Sequence, residues 1–432
     1  MTAVLATAVF VVTYVLIATE RVHRVAAALG GAAAMVVIGV VDADTAFFSE
    51  ETGIDWNVVF LLLGMMILVG VLRQTGLFEY LAIWSAKKAR GKPFRIMVML
   101  IVITALASAL LDNVTTVLLI APVTVLLCER LDLDPVPFLI AEVLASNIGG
   151  TATLIGDPPN IIIASRAGLS FNDFLLNLAP LVIILVGVLV LVCRVMFRSA
   201  LTFHPDRVDE IMDLDERTAI RDRTLLWQSV AVLGLTMIAF VLHTTLHLQP
   251  SIVALLGAGL LVFVSGVKIE VALREVEWPT LVFFMGLFVV VGGLIEAGVI
   301  DRLANAAGEA TGGNLLGGSM LLIGVSGVLS GLVDNIPYVA TMSPVVEELV
   351  ANARPGGADP NVLWWSLALG SDLGGNATAV GASANVVVLG IAERSGHRIS
   401  FWRFTRYGLI VTVLTIGLSV PYVWLRYFVL GG

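Results

Sequence analysis

Apolar residues in this chain come in long blocks, broken at a few places by short polar runs. Ten blocks approach membrane-crossing length, over about 2–18, 25–41, 56–72, 137–165, 174–193, 225–243, 251–267, 278–295, 362–391 and 408–428. An apolar helix of about 20 residues spans the hydrocarbon core of a bilayer, so each block predicts a transmembrane helix. Two further apolar stretches, 96–128 and 315–350, are interrupted near their middles by Asp-Asn pairs, with about 16 residues on either side. Such short arms predict hairpins that enter the bilayer and return to the side they came from. The stretches 74–92 and 296–313 are short and polar on one face, which predicts interfacial helices.

The interruptions repeat. Asp112-Asn113 and Asp334-Asn335 stand 222 residues apart, and each is followed by a glycine-rich, Asn-terminated break in a later apolar block. The first break runs Asn147-Ile148-Gly149-Gly150-Thr151-Ala152-Thr153 to Asp157-Pro158-Pro159-Asn160, and the second Asp372-Leu373-Gly374-Gly375-Asn376-Ala377-Thr378 to Ser383-Ala384-Asn385. The correspondence extends along both halves: Asp55-Trp56 matches Glu277-Trp278, Gln74 to Glu79 matches Glu296 to Asp301, Pro122 matches Pro344, and Ser170 to Phe174 matches Ser400 to Phe404. Each half therefore holds five spans and one hairpin. Five is odd, so the second half is inverted relative to the first. The expected organisation is a first repeat over 1–196 (hairpin 96–128, broken helix 137–165), a charged linker over 197–224, and a second repeat over 225–432 (hairpin 315–350, broken helix 362–391). Matched interruptions of hydrophobic segments in two halves are the best sequence pointer to a transporter's substrate site.

Composition agrees with a polytopic membrane protein. The chain is 58% apolar and 13% charged, with a mean hydropathy of +0.97, too hydrophobic for a soluble globule. Basic residues set its orientation, because short cytoplasmic loops collect them. Of the 25 lysines and arginines, all but Arg166, Arg302, Arg354 and Arg426 fall on one side of the predicted map. That side is read as cytoplasmic, with both termini outside, in the plasma (inner) membrane. The start of the chain has no basic region before its apolar run and is read as an anchor, not a signal peptide. A net charge of -8, concentrated in loops such as Asp42 to Asp55, points to no nucleic-acid partner. Neither Cys128 nor Cys193 forms a metal-ligand or disulfide pattern. The five histidines fall at span ends or in loops, which gives no metal centre, and Trp364-Trp365, Trp402 and Trp424 read as interfacial anchors.

Open backbone groups cost several kcal/mol each in a membrane, so broken helices persist only where protein or a polar cavity satisfies them. Gly149-Gly150 and Gly374-Gly375 are expected to supply backbone freedom, and Pro158-Pro159 to stop the first break from closing into a helix. At the hairpin tips Asp112 or Asn113, and Asp334 or Asn335, can N-cap the outgoing helices. For a lone Asp-Asn pair capping would suffice as an explanation. Two pairs at matched depth beside two matched breaks make a substrate or ion site the stronger reading, since a carboxylate near the bilayer centre costs about 3 kcal/mol unless partnered.

The candidate ligands are Asp112, Asn113, Thr115, Asn147, Gly149, Gly150, Thr151, Thr153, Asp157 and Asn160 from the first half, and Asp334, Asn335, Asp372, Gly374, Gly375, Asn376, Thr378, Ser383 and Asn385 from the second. Glu142, inside a span, is a further candidate proton carrier, with helix packing as the equal alternative. The interruptions hold four aspartates and no Lys, Arg or His. Carboxylates repel a bare anion in a low-dielectric cavity. Protons, sodium or a neutral hydroxylated solute such as undissociated arsenite or silicic acid fit better, and an anion would need a cation beside it. Asn147 against Asp372, and Asp157 against Ala382, make the two half-sites unequal.

At Leu111-Asp112-Asn113-Val114-Thr115-Thr116 and at Asn147 to Asn160 the chain resembles the ion transporter superfamily. Within it, the similarity is to the group of ArsB-type arsenite permeases and NhaD-type sodium/proton antiporters, closest to P-protein-like members. The resemblance covers nearly the whole chain. It implies an all-helical inverted-repeat transporter, with two re-entrant hairpins and two broken helices meeting at a central site, elevator-type movement, a homodimer as one assembly, and no cofactor beyond sodium ions or protons. The Ser-Asn-Thr hairpin tips of the superfamily's dicarboxylate carriers are replaced here by Asp112-Asn113-Val114 and Asp334-Asn335-Ile336, which argues against a citrate or succinate cargo. The leading expectation is a proton- or sodium-coupled antiporter exporting sodium or a neutral metalloid. An anion (chloride) channel, or a sodium-coupled anion symporter on the same scaffold, is the alternative. No nucleophile or metal-pair motif of an intramembrane enzyme occurs on a span.

Overall fold

The computed structural model describes residues 2–19, 21–202, 212, 215–353 and 358–431. Arg207, Asp209, Glu210 and Asp213 of the charged linker, with His204 and Arg354, lie outside the described residues. The first half contains α1 (Thr2–Thr19), α2 (Arg24–Val37), α3 (Ala43–Phe48), α4 (Trp56–Arg73), α5 (Leu77–Lys88), α6 (Pro93–Leu110), α7 (Asn113–Arg130), α8 (Val136–Gly150), α9 (Pro158–Ala167) and α10 (Phe171–Met196). The second contains α11 (Arg223–Leu242), α12 (Pro250–Ser265), α13 (Ile269–Arg274), α14 (Trp278–Glu296), α15 (Val299–Thr311), α16 (Leu315–Leu332), α17 (Asn335–Ala351), α18 (Val362–Gly374), α19 (Ser383–Arg394) and α20 (Phe401–Val423), the last running on as a π-helix over Trp424–Val429.

Each helix of the first set has its counterpart ten places on, and the aligned residue pairs fall at equivalent positions. Asp55 and Glu277 precede the first residues of α4 and α14. Gly76 and Gly298 both take left-handed backbone, with φ of 81° and 65°, where the chain turns into α5 and α15. Ser170 and Ser400 each accept a backbone N–H three residues on, capping α10 and α20. Nine helices are long and apolar enough to cross a membrane among the described residues. Two blocks read as full spans are shorter helices, α2 with 14 residues and α12 with 16, and the broken spans begin with short halves, α8 with 15 and α18 with 13. The blocks overestimated length because loop residues such as Val40 and Val41 are apolar too, Val41 being buried against the core. Within the acidic 42–55 segment, Asp42 caps the short α3 through Thr45 N–H at 2.8 Å, and that bond holds its carboxyl below the usual range.

Helices α1, α2, α4, α11, α12 and α14 form one body. Close approaches at Gly64 against Ala254 and at Gly286 against Ala28 join them in pairs. The hairpins α6–α7 and α16–α17 and the broken helices α8–α9 and α18–α19 form the other, in which α6 lies along α8 and α16 along α18. The segments after the breaks exchange partners: α9 packs on α17, and α19 on α7. Side chains such as Ile183, Val195, Phe263 and Val413 face outward, as a lipid-facing surface requires.

Trp364 and Trp365, expected as interfacial anchors, are instead buried, and Trp365 packs edge-on against Phe174 at 5.2 Å. An aromatic pair at the head of an apolar block looks like an anchor in sequence, but the start of α18 lies inside the protein. Trp402 and Trp424 are exposed.

Candidate functional site

The double glycines act through close approach. None of Gly149, Gly150, Gly374 and Gly375 has a positive φ, which corrects the expectation that they supply unusual backbone freedom. A Cβ on Gly149 would lie 2.3 Å from Ala105 O, and one on Gly374 would lie 2.7 Å from Gly327 O, so the first glycine of each pair seats the broken helix on its hairpin. The second faces the returning loop: a Cβ on Gly150 would stand 2.5 Å from Gly156 O, and one on Gly375 3.1 Å from Gly381 O. Pro158 and Pro159 then open α9 at its first turn, where a missing N–H costs nothing.

Hydroxyls fasten the frame. Ser108 donates to Ser146 O at 2.7 Å, and Ser330 to Ser371 O at 2.6 Å. Thr153 donates to Ala109 O at 2.5 Å, and Thr378 to Gly331 O at 2.6 Å. Thr151 donates to Asn147 O at 3.0 Å. Asn385 Nδ2 closes its break by donating to Gly375 O and Thr378 O, both at 2.8 Å, and Asn160 Nδ2 reaches Gly150 O and Thr153 O at 3.4 and 3.1 Å. These candidate ligands are thus engaged in holding the broken helices. At the tips the aspartates cap: Asp112 accepts from Thr115 N–H at 2.8 Å and from its hydroxyl at 2.5 Å, and Asp334 accepts from Ile336 N–H at 3.1 Å.

The tip asparagines do something else. Asn113 Nδ2 donates to Asp157 Oδ2 at 2.9 Å and to Asn147 Oδ1 at 3.2 Å, and Asn335 Nδ2 lies 3.4 Å from both Asp157 oxygens. Asn147 Nδ2 continues to Asn376 Oδ1 at 2.9 Å and Asn385 Oδ1 at 3.0 Å. One buried network therefore joins both hairpins and both breaks, with Asp157 where the two tips meet. Asp372, the counterpart of Asn147, is fully buried beside Asn160 and Thr151. Its Oδ2, Asn160 Oδ1 and Asn376 Nδ2 have no hydrogen-bond partner. Among the described residues neither Asp157 nor Asp372 has a basic partner. Glu142 stands outside the network, accepting from Thr124 Oγ1 of α7 at 2.5 Å.

A cavity of about 370 Å³ adjoins the second tip, lined by His23, Arg24, Val114, Glu277, Asp334 and Ser383, among others. Arg24 opens α2, and its Nη1 donates to Ser383 Oγ at 2.8 Å and lies 3.8 Å from Asp334 Oδ2. Ser383 Oγ in turn donates to Asp334 Oδ2 at 2.6 Å. The interruptions contain no basic residue, yet the fold brings one to them from more than 300 positions away. The only sequence signal was an asymmetry of the repeat, since α12 begins with Pro250 where α2 begins with Arg24. Tyr14 of α1 was also missed; its hydroxyl donates to Pro337 O and lies 2.5 Å from Thr341 Oγ1.

Inverted repeats whose broken helices and hairpins converge on a buried polar network define a membrane transporter, not an enzyme. The sequence matches the citrate transporter family (CitMHS) over residues 14–370, and the chain belongs to that family, within the ion transporter superfamily. It is 59% identical to an uncharacterised transporter of Mycobacterium tuberculosis (strain H37Rv), over 99% of both chains. It is 34% identical to the P protein of Homo sapiens, over 99% of this chain and 60% of that one. In fold it is similar to the YdaH transporter of Alcanivorax borkumensis (TM-score 0.64, 14% identity, 98% of each chain covered) and to MtrF of Neisseria gonorrhoeae (TM-score 0.63, 12% identity, covering 100% of this chain and 96% of that one).

Proposed function

We propose that the protein is a secondary active transporter, working by elevator-type alternating access, that exchanges protons for a monovalent cation such as sodium. The observation that carries this reading is the pair Asp157 and Asp372: two buried carboxylates, held by amides and hydroxyls, with no basic side chain against either among the described residues. A carboxylate in that setting is stable only when a proton or a cation neutralises it. Orphaned acceptors on Asp372 and Asn160, side by side, are satisfied by the same two species. Neutral arsenite, a polyhydroxyl donor, is the second cargo the site accommodates on those grounds.

Exchange follows from the geometry. Because Asp157 binds both tips, its protonation changes the hydrogen bonding of both hairpins at once, which couples occupancy to the posture of the second body. The site residues are those of the network, Asn113, Asn147, Asp157, Asn335, Asn376 and Asn385, with Asp372 and Asn160 beside it, and with Asp112, Thr115, Asp334 and Ser383 at the tips. The helix starts of α7, α9, α17 and α19 supply partial positive charge around them. Arg24 favours one other reading, an anion carried beside a bound sodium ion, since it brings a full positive charge to the cavity wall.

The deciding measurement is proton flux in proteoliposomes containing a pH dye, challenged in turn with sodium, lithium, arsenite, antimonite, chloride and citrate. Proton movement driven by sodium or lithium alone is expected. A response to arsenite or antimonite assigns metalloid efflux, a sodium-dependent response to citrate or chloride assigns the anion reading, and chloride current without proton movement makes the protein a channel.

A further inference from the structure

Arg24 and Asp334 belong to different bodies of the molecule. Arg24 begins α2, in the body of α1, α2, α4, α11, α12 and α14, and its guanidinium lies over the Phe283 ring of α14 at 5.4 Å. Asp334 is the tip of the second hairpin, and Ser383 opens the helix that follows the second break. The chain of contacts from Arg24 Nη1 to Ser383 Oγ (2.8 Å) and from Ser383 Oγ to Asp334 Oδ2 (2.6 Å), with the 3.8 Å ion pair above it, therefore crosses the boundary between them. Tyr14 crosses it again three residues further along the same hairpin, at Pro337 and Thr341.

We propose that Arg24 is a tethered counter-charge that latches the second hairpin to the α1–α2 body, and that the latch opens when Asp334 is neutralised. This rests on the alternating-access reading above, and it assigns a positioning residue that the repeat does not supply. Glu277 makes the exchange reversible. It lies on the wall of the same cavity, within electrostatic reach of Arg24, and belongs to the same body as Arg24. A guanidinium released from Asp334 therefore has a second carboxylate to turn to without leaving its own body, and is never left uncompensated. With side-chain exposures of 34% for Arg24 and 19% for Asp334, the pair is partly shielded, so it is screened less than a surface pair. The first hairpin has no equivalent: Asp112 caps α7 through Thr115 and has no basic partner among the described residues. Movement of the second body is gated at one tip only.

The test reads posture directly and needs no knowledge of the cargo. Val386 lines the cavity and is 41% exposed, while both native cysteines are buried. Val386→Cys in inside-out vesicles is labelled with a membrane-impermeant maleimide, in the otherwise unaltered protein and with Arg24→Gln, Asp334→Asn or both. Each single substitution is expected to slow labelling severalfold, because the cavity is no longer held open, and the double variant should be no slower than either. Arg24→Lys, which keeps the charge, should restore most of the rate. Unchanged labelling in Arg24→Gln overturns the latch, and so do additive effects of the two substitutions, which would mean that the residues act separately. Silence of the protein to sodium and lithium, with the labelling pattern intact, would sink the cation-antiport reading and leave the latch standing.

Discussion

At the scale of single residues, Asp157 and the glycines of the breaks make the sharpest demands. Asn113 and Asn335 both donate to Asp157, and an asparagine there keeps an acceptor oxygen for one of them while losing the titratable charge. Asp157→Asn should therefore reach the membrane in normal yield while proton-coupled flux falls by about tenfold or more, equivalent to ~1.4 kcal/mol of lost discrimination between protonated and ionised states. Normal flux in reconstituted vesicles would reduce Asp157 to a structural tie. Gly156 tests packing. Its Cβ would meet Gly150 O at 2.5 Å and Ser108 O at 2.7 Å, both backbone atoms that cannot swing aside, whereas a Cβ on Gly187 meets nothing within 4 Å. Gly156→Ala should cost about 1–3 kcal/mol, read as a lower unfolding temperature in detergent, with Gly187→Ala unchanged as the control.

Elements show which parts of the fold the sequence discloses. Helix starts were legible wherever the repeat provided two samples: Asp112 with Asp334, Ser170 with Ser400 and Gly76 with Gly298 all occupy matched turns, because capping and left-handed backbone restrict the residue types allowed. The meeting of the four interruptions was expected from their matched spacing in the two halves and from the family resemblance, not from any local rule. Contacts that break the repeat were not. Arg24 and Tyr14 reach the site from helices whose counterparts carry no such groups, and the six-residue helices α3 and α13 are too short for a periodic signal. The charged linker is more than a connector, because its described end docks on α5. Lys87 Nζ bonds Glu216 at 2.6 Å, Arg221 Nη2 bonds Glu79 at 3.3 Å, and Arg221 N–H donates to Thr75 O at 3.0 Å. The Lys87 bond holds the Glu216 carboxyl below its ordinary value of 4.5. A depressed carboxyl stabilises the docked state above that ordinary value, and the stabilisation is lost as pH falls through the depressed one. Proteolysis of the linker should therefore be slow at neutral pH and quicken below about pH 4.5, and Glu216→Gln should show the fast rate throughout.

For the whole molecule, the remaining question is which way up it sits, and ion pairs constrain the answer. The contacts Arg73–Glu275, Lys87–Glu216, Arg221–Glu79, His397–Glu129 and Arg403–Asp134 all join residues that the basic-residue count assigns to one face, and Arg166–Glu347 joins two assigned to the other. Consistent membership at the two ends agrees with that partition of the loops, and the excess of lysine and arginine predicts a cytoplasmic first end. His23 and Glu277 line the cavity of Arg24 and Asp334, and with the first end cytoplasmic that cavity is expected to open inward. Thr202→Cys and Asn314→Cys, both exposed, lie at opposite ends. An impermeant thiol reagent added to intact cells should label the second and spare the first, and in inside-out vesicles the pattern should reverse. Labelling of Thr202→Cys from outside would invert the molecule, and the cavity would then open to the exterior, with Arg24 holding the hairpin in the posture that loads cargo from outside the cell.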